Sequence, residues 1–318
     1  MKKILVARKL LDENNKKILN LFDAKLNKED KLYSTDELIS LSKECDGILS
    51  FPTTIIDTET VKKLPKSIKI ISNYAVGFGN IDTIEASKKG IIVTNTPEVL
   101  TDATADISIL LLLGASRRAY EGRLAAESES WNWSSDYLIG KQMTGKKLGI
   151  LGMGRIGRAV AKRAKGFNME IHYHNRNKLS LELEQGAIYH KNISELFNHS
   201  EFLSINCPGS KETENLINEK TIENFPDGVV IANAARGEII DDEAMIKAMK
   251  NGKVFALGLD VYRGEPKINQ KYLKLKNLFL LPHLGSATTI TRINMGDRAI
   301  NNLNQLLNYK QKPADQVN

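Results

Sequence analysis

Three apolar runs in this sequence each end in a residue able to do acid–base or anion chemistry. "VVIANAARGEIID" carries Arg236, "ALGLDVYRGEP" carries Asp260 and Glu265, and "LFLLPHLGSAT" carries His283. Imidazole is the side chain that titrates near neutrality, so it can pass a proton. A guanidinium stays charged; it can grip a carboxylate in a planar fork or polarise an oxygen on which negative charge develops. In an open α/β sheet, ligands sit beyond the carboxyl ends of the strands, so these groups are expected at one mouth. Each has a structural explanation when taken alone: a strand-end ion pair for Arg236, a turn before Pro266 for Glu265, a core histidine for His283. Three such residues at successive strand ends favour a site.

Upstream lies "LGILGMGRIGRAV", in which Gly152, Gly154 and Gly157 keep a G-x-G-x-x-G spacing between an apolar strand and a helical pattern. In that context the first glycine permits a tight turn, the second lets backbone approach a pyrophosphate, and the third lets helix and strand pack closely. The helix N-terminus then offers N–H groups to phosphate. About twenty residues on, where an NAD site carries Asp or Glu for the ribose hydroxyls, the chain reads "YHNRNK". Asn175 can donate, Arg176 can pair with a phosphate, and Lys178 adds charge. The reading is NADP(H) in preference, with NAD(H) as the alternative. His172 and His174 should share one face of a strand. No Asp, Cys or further His adjoins them in sequence, so no metal site is expected.

These residues need a scaffold to position them. With 318 residues, 42% hydrophobic and 26% charged, the chain is long enough for two globular domains and too apolar to be disordered. A net charge of +7 raises nucleic acid as a partner. The lysines, however, are spread from Lys2 to Lys312 without a basic block, which indicates solvated faces instead. Cys45 and Cys207 make no disulfide framework. No apolar run is long enough to span a membrane, and the N-terminal apolar stretch is cut at Arg8. The cytoplasm is therefore the expected compartment.

Strand-like runs alternate with helical segments. "KKILVA", "DGILSF", "IKIISNYAV" and "IIVTNT" form one series; "KKLGILG", "MEIHYHN", "EFLSINC", "GVVIANAA", "VFALGLD" and "LFLLPH" form a second. Short apolar runs of this kind read as buried parallel strands joined by crossovers. The fold class is α/β with two doubly wound units. Residues 100 to 128 read as one long helix between them, apolar enough to be buried against the chain's own sheet or a second copy. A last helix, 288 to 309, would return to the first unit, giving domains 1–98 plus 288–318 and 99–287. The abundance of Asn and Lys reads as composition bias.

These stretches, with "NYAVGFGNID" and "VTNTPEVLTDATAD", resemble the D-isomer-specific 2-hydroxyacid dehydrogenases, closest to the glyoxylate/hydroxypyruvate reductase branch. The resemblance covers nearly the whole chain. It implies a flavodoxin-like substrate domain and a Rossmann dinucleotide-binding domain, and reduction of a small 2-keto acid. His283 would carry the proton, Glu265 would orient it and favour its charged form, and Arg236 would anchor the substrate. It also implies that the backbone N–H groups of Val76 and Gly77 hold the substrate carboxylate. Leu49, Ser50 and Phe51 would wall the pocket, with Trp131 or Trp133 of a partner chain. Cofactor contacts carry over to Thr104, Gly152, Gly154, Arg155, Ile156, Gly157, Asn175, Arg176, Asn177, Cys207, Pro208, Thr213, Ala234, Ala235, Asp260, His283 and Gly285. A homodimer is expected, joined through the 100–128 segment and the Trp131–Trp133 loop. Relatives carry an aromatic-Asp pair where this chain has Phe78 and Gly79, which bears on substrate fit. The alternatives are an NAD-dependent dehydrogenase of another acid such as phosphoglycerate, a formate dehydrogenase, which would carry Gln in place of Glu265, and a nucleotide-sensing, non-enzymatic relative.

Overall fold

The computed structural model describes residues 1–129 and 131–318. Its contacts divide the chain into two units, Met1–Leu100 with Ala287–Asn318, and Thr101–Ser286. Both are α/β, and every strand pairing in them is parallel.

In the first unit, β1 (Lys3–Val6), β2 (Asp23–Lys25), β3 (Gly47–Ser50), β4 (Ile70–Asn73) and β5 (Ile92–Thr94) form one sheet of order β2-β1-β3-β4-β5. Strands β3 and β4 are buried along their whole length, as expected where helices cover both faces of a sheet. The helix Thr289–Leu307 places Met295, Ala299, Ile300 and Leu303 against Ile4, Val6, Leu49 and Ile70. The hydroxyl of Ser72 donates to Ala299 O at 2.9 Å, which ties helix to sheet through a buried bond.

The second unit holds β6 (Lys147–Leu151), β7 (Glu170–His174), β8 (Ile188–Tyr189), β9 (Phe202–Ile205), β10 (Val229–Asn233), β11 (Val254–Leu259) and β12 (Leu278–Leu280). Their order is β12-β11-β10-β9-β6-β7-β8. The chain reverses direction of growth between β6 and β9, and ligands of doubly wound sheets sit at such a switch point.

The segment read as one helix over 100–128 is two. Thr101–Ser116 buries Ala105, Ile109, Leu111, Leu112 and Ala115 against Leu148, Ile150, Val230 and Ala256 of its own sheet. Ala119–Glu127 follows and buries nothing. Arg118, between them, takes φ +53 and pairs with Glu121 at 2.6 Å. The cause of the break is close packing. A Cβ at Gly140 would lie 2.3 Å from Ser116 O, and that carbonyl accepts Lys141 N–H. No described helix is long and apolar enough to cross a membrane.

Candidate active site

The Glu265 carboxylate sits in the loop that leaves β11. Its Oε1 accepts Tyr262 N–H at 2.9 Å and its Oε2 meets His283 Nδ1 at 2.7 Å. Burial alone would raise the pKa of Glu265. The bonds from His283 and from Tyr262 N–H, with the charges of His283 and Arg236, outweigh it and leave the carboxyl below its usual range. An ionised carboxylate only accepts, so Nδ1 of His283 carries the hydrogen of that bond. Nε2 is then the nitrogen left to exchange a proton with a ligand.

The backbone of His283 is left-handed, with φ +58, uncommon for a residue with a side chain. Asp260 holds the turn that follows it. Fully buried, its carboxylate accepts Leu284 N–H at 2.6 Å and Gly285 N–H at 2.7 Å. Burial pushes the Asp260 pKa up, against those two bonds. Thr104 Oγ1 donates to Gly285 O at 3.0 Å. Thr104, Asp260 and Gly285 thus form one knot beneath His283.

Arg236 is positioned by a residue the sequence did not single out. Asn233, at the end of β10 and fully buried, accepts Ala235 N–H at 2.9 Å and donates to Arg236 O at 2.8 Å. Arg236 Nη1 donates to Ala235 O at 2.6 Å. Among the described residues Arg236 forms no ion pair, so its charge is available to an anion.

The glycine turn fits a dinucleotide. Gly152 has φ +96, and a Cβ there would lie 2.5 Å from Cys207 N. A Cβ at Gly154 would meet nothing within 4 Å, which leaves backbone open to a pyrophosphate. At Gly157 it would lie 2.3 Å from Gly152 O. The helix Arg155–Lys165 starts at Gly154 without a side-chain cap, so its first N–H groups are not taken by a capping side chain. Ile156 is half-buried on that helix.

After β7, Asn175 Oδ1 accepts Met153 N–H at 2.7 Å. Only the amide's donor end therefore remains for a ligand, and the residue braces the glycine turn, a role the sequence reading lacked. Arg176 and Asn177 are exposed, and among the described residues Arg176 makes no ion pair. Its positive charge nevertheless reaches Glu212, where it adds to the hydrogen bond from Ser210 in lowering that carboxyl. Lys178 approaches Glu184 at 3.8 Å. The segment from Cys207 to Thr213 begins against the glycine turn, where Cys207 N packs on Gly152. Burial raises the Cys207 thiol to about 11, so it stays protonated and unreactive. Thr213 Oγ1 donates to Pro208 O at 2.9 Å and accepts Ser210 N–H at 2.8 Å, closing that loop. Ala234 and Ala235 lie between Asn233 and Arg236.

In the first unit, Asn95 Nδ2 donates to Val76 O and Asn73 Nδ2 to Gly77 O, at 2.8 and 2.9 Å. The N–H groups of Val76 and Gly77 meet no acceptor among the described residues. Phe51 is half-exposed and stacks on Tyr74 with ring centroids 4.7 Å apart. Leu49 and Ser50 are fully buried within β3. Ser50 is the last residue of that strand. Phe78 and Gly79 are exposed at the loop tip.

His172 and His174 are not the isolated pair their spacing suggested. His172 Nδ1 meets His190 Nε2 at 2.8 Å, His172 Nε2 meets Glu170 at 2.6 Å, and the His199 ring stacks on both imidazoles. Among the described residues no three His, Cys, Asp or Glu side chains are grouped to hold a metal ion. Sequence distance hid the cluster: His190 and His199 follow 18 and 27 residues after His172.

Residues 109–285 match the family model described as D-isomer specific 2-hydroxyacid dehydrogenase, NAD binding domain. The chain belongs to this family. As a D-2-hydroxyacid dehydrogenase, it is an oxidoreductase with a nicotinamide-dinucleotide domain. It is 40% identical over 95% of its length to a glyoxylate reductase of Thermococcus litoralis, covering 92% of that protein. It is 38% identical to a glycerate dehydrogenase of Hyphomicrobium methylovorum, covering 94% of each chain. Among solved structures it is similar to an NADPH-dependent glyoxylate/hydroxypyruvate reductase of Sinorhizobium meliloti, determined with NADP and malonate. The TM-score is 0.89 at 27% identity, over 99% of this chain and 96% of that one.

Proposed function

We propose that this dehydrogenase reduces small 2-keto acids, glyoxylate and/or hydroxypyruvate, to the 2-hydroxy acid with NADPH. The observation that carries the reading is the His283–Glu265 pair. Its carboxylate occupies Nδ1 and leaves Nε2 as the proton donor. The names of the Thermococcus and Hyphomicrobium relatives support the substrate class. The nicotinamide, when bound, supplies the hydride. The chain's own residues do the rest. Arg236, unpaired by any described residue, binds the substrate carboxylate and polarises the ketone oxygen. His283 gives that oxygen its proton, and Glu265 stabilises the imidazolium that serves as acid. Val76 and Gly77 offer their N–H groups to the substrate carboxylate, and Phe51 limits the size of the 3-substituent. Arg155, Ile156, Asn177, Ala234 and Ala235 line the cofactor site alongside the glycine turn.

Preference for NADP rests on the end of β7. No carboxylate stands there for ribose hydroxyls, while Asn175 keeps a donor and Arg176 a charge unpaired by any described residue. The Sinorhizobium relative is named NADPH-dependent, which is consistent. Assembly as a homodimer rests on Leu110, Tyr120, Leu124, Trp131, Trp133 and Ile139, apolar side chains all well exposed on the segment from 110 to 139. The test is turnover of purified protein on a panel of 2-keto acids, with NADH and NADPH side by side. Activity confined to glyoxylate and hydroxypyruvate with NADPH is expected. Equal efficiency with NADH would overturn the cofactor reading, and inactivity on both acids the substrate reading.

A further inference from the structure

Beneath the Val76–Gly77 loop lies a buried set of polar side chains that the reaction does not consume. Asn73, at the end of β4, is fully buried. Its Nδ2 donates to Gly77 O at 2.9 Å and to Asn80 Oδ1 at 3.2 Å. Its Oδ1 accepts Ser50 Oγ at 3.0 Å and Asn80 Nδ2 at 3.3 Å. The two amides therefore face each other in a reciprocal pair. Asn80 Nδ2 also reaches the other loop, donating to Phe51 O and Thr54 O at 3.0 Å each. Its own carbonyl accepts Ile56 N–H at 2.8 Å.

This arrangement has a direction. Every side-chain bond to the Val76–Gly77 segment is made to a carbonyl, by Asn73 at Gly77 and by Asn95 at Val76. In a trans peptide the carbonyl and the N–H of the next residue point opposite ways, so the bond at Val76 O turns Gly77 N–H outward and the bond at Gly77 O turns Phe78 N–H outward. Two adjacent N–H groups without acceptors are the concavity that takes an anion. The same donor set fixes the backbone of Phe51–Thr54 from the other side. One buried amide pair thus holds both the Gly77–Phe78 peptide, which closes the anion-binding loop, and the backbone that carries the Phe51 ring.

We propose that Asn80 and Asn73 are positioning residues for carboxylate recognition, coupling the Val76–Phe78 backbone to the Phe51–Thr54 loop. The inference rests on the keto-acid reading for the identity of the anion, a small carboxylate. Neither asparagine touches the substrate; each acts through the backbone it holds. Loss of the Asn80 donors releases the Phe51 and Thr54 carbonyls and half of the restraint on Asn73. Carboxylate affinity falls, while the cofactor half of the molecule is unaffected.

The experiment compares wild type with Asn80→Asp, which keeps the size of the side chain and its acceptor for Asn73 but loses both donors to the loop. Ser50→Ala is a milder second variant that removes one bond to Asn73. Binding of oxalate in the presence of NADP, by calorimetry, reports the anion site without turnover. NADPH affinity by fluorescence and KM and kcat for glyoxylate are measured alongside. Asn80→Asp is expected to weaken oxalate binding and raise KM about tenfold or more, with NADPH affinity unchanged and kcat within a few-fold. Ser50→Ala is expected to shift oxalate binding a few-fold in the same direction. Should Asn80→Asp not fold, Ser50→Ala decides alone. Unchanged oxalate affinity in the variants overturns the proposal, as does parallel loss of oxalate and NADPH binding. A wild type that binds oxalate but reduces no 2-keto acid would overturn the reaction and leave this inference standing. Absence of oxalate binding in the wild type would overturn the inference.

Discussion

Replacing Glu265 with Gln changes one charge and almost no volume, so it isolates what the carboxylate does for His283. In the wild type, Glu265 accepts two bonds, from Tyr262 N–H at 2.9 Å and from His283 Nδ1 at 2.7 Å. Glutamine can satisfy Tyr262 only through its oxygen, which turns its NH2 toward His283. Nδ1 must then accept, and the imidazolium loses its partner. A hydrogen bond to a charged group contributes about 1.5–3 kcal/mol, so the acid form should be disfavoured by roughly ten- to a hundredfold. Stopped-flow reduction of glyoxylate at saturating NADPH reads this directly. At neutral pH the variant should transfer hydride about ten- to a hundredfold more slowly. NADPH affinity should be unchanged. A wild-type rate in a folded Glu265→Gln protein would refute the assignment of the carboxylate to stabilising the proton donor.

Three further outcomes are expected. Arg176→Ala should weaken NADPH binding about ten- to a hundredfold and leave NADH nearly untouched; equal loss of both, by equilibrium titration, would make the arginine a mere stacking surface. Burial holds His172 and His190 below the usual imidazole range, and one ring of their shared bond must accept. The unfolded chain therefore takes up protons first, so the stability this pair contributes is present above about pH 6.5 and is lost as pH falls below it. Urea melts at pH 7.5 and 5.5 should show the loss and its reduction in His190→Gln; an unchanged difference would exclude the pair as its source. Light scattering at micromolar concentration should find a dimer that Trp133→Glu weakens, and a wild-type monomer would contradict the reading of the 110–139 surface.

The alternation of apolar runs and the glycine turn made both sheets legible, because buried parallel strands and a close strand–helix approach impose residue types directly. Ten of the runs became strands. The two omitted, β2 and β8, are three and two residues long at sheet edges and carry half-exposed side chains, so no apolar pattern marks them. The break at Arg118 was hidden because a tertiary contact, Gly140 against Ser116 O, imposes it. Asparagine was the larger omission. Read as composition bias, the residue appears in the structure as the brace of each candidate site loop. Asn175 holds the glycine turn, Asn233 the Arg236 turn, and Asn73 with Asn80 the Val76–Gly77 loop. Its amide both donates and accepts, so it can close a turn from inside, and nothing local in sequence separates such a brace from a surface residue. Arg236, Glu265 and His283 stood out as candidates because charged groups at strand ends contrast with apolar runs, and the structure pairs two of them, Glu265 and His283.

If His283 delivers the proton that accompanies hydride transfer to a 2-keto acid, His283→Asn should slow single-turnover oxidation of bound NADPH by glyoxylate. NADPH binding at wild-type affinity and a hydride-transfer rate lowered by about 10²–10⁴-fold are expected. A rate within a few-fold of wild type, in a folded protein that binds NADPH, would contradict that role.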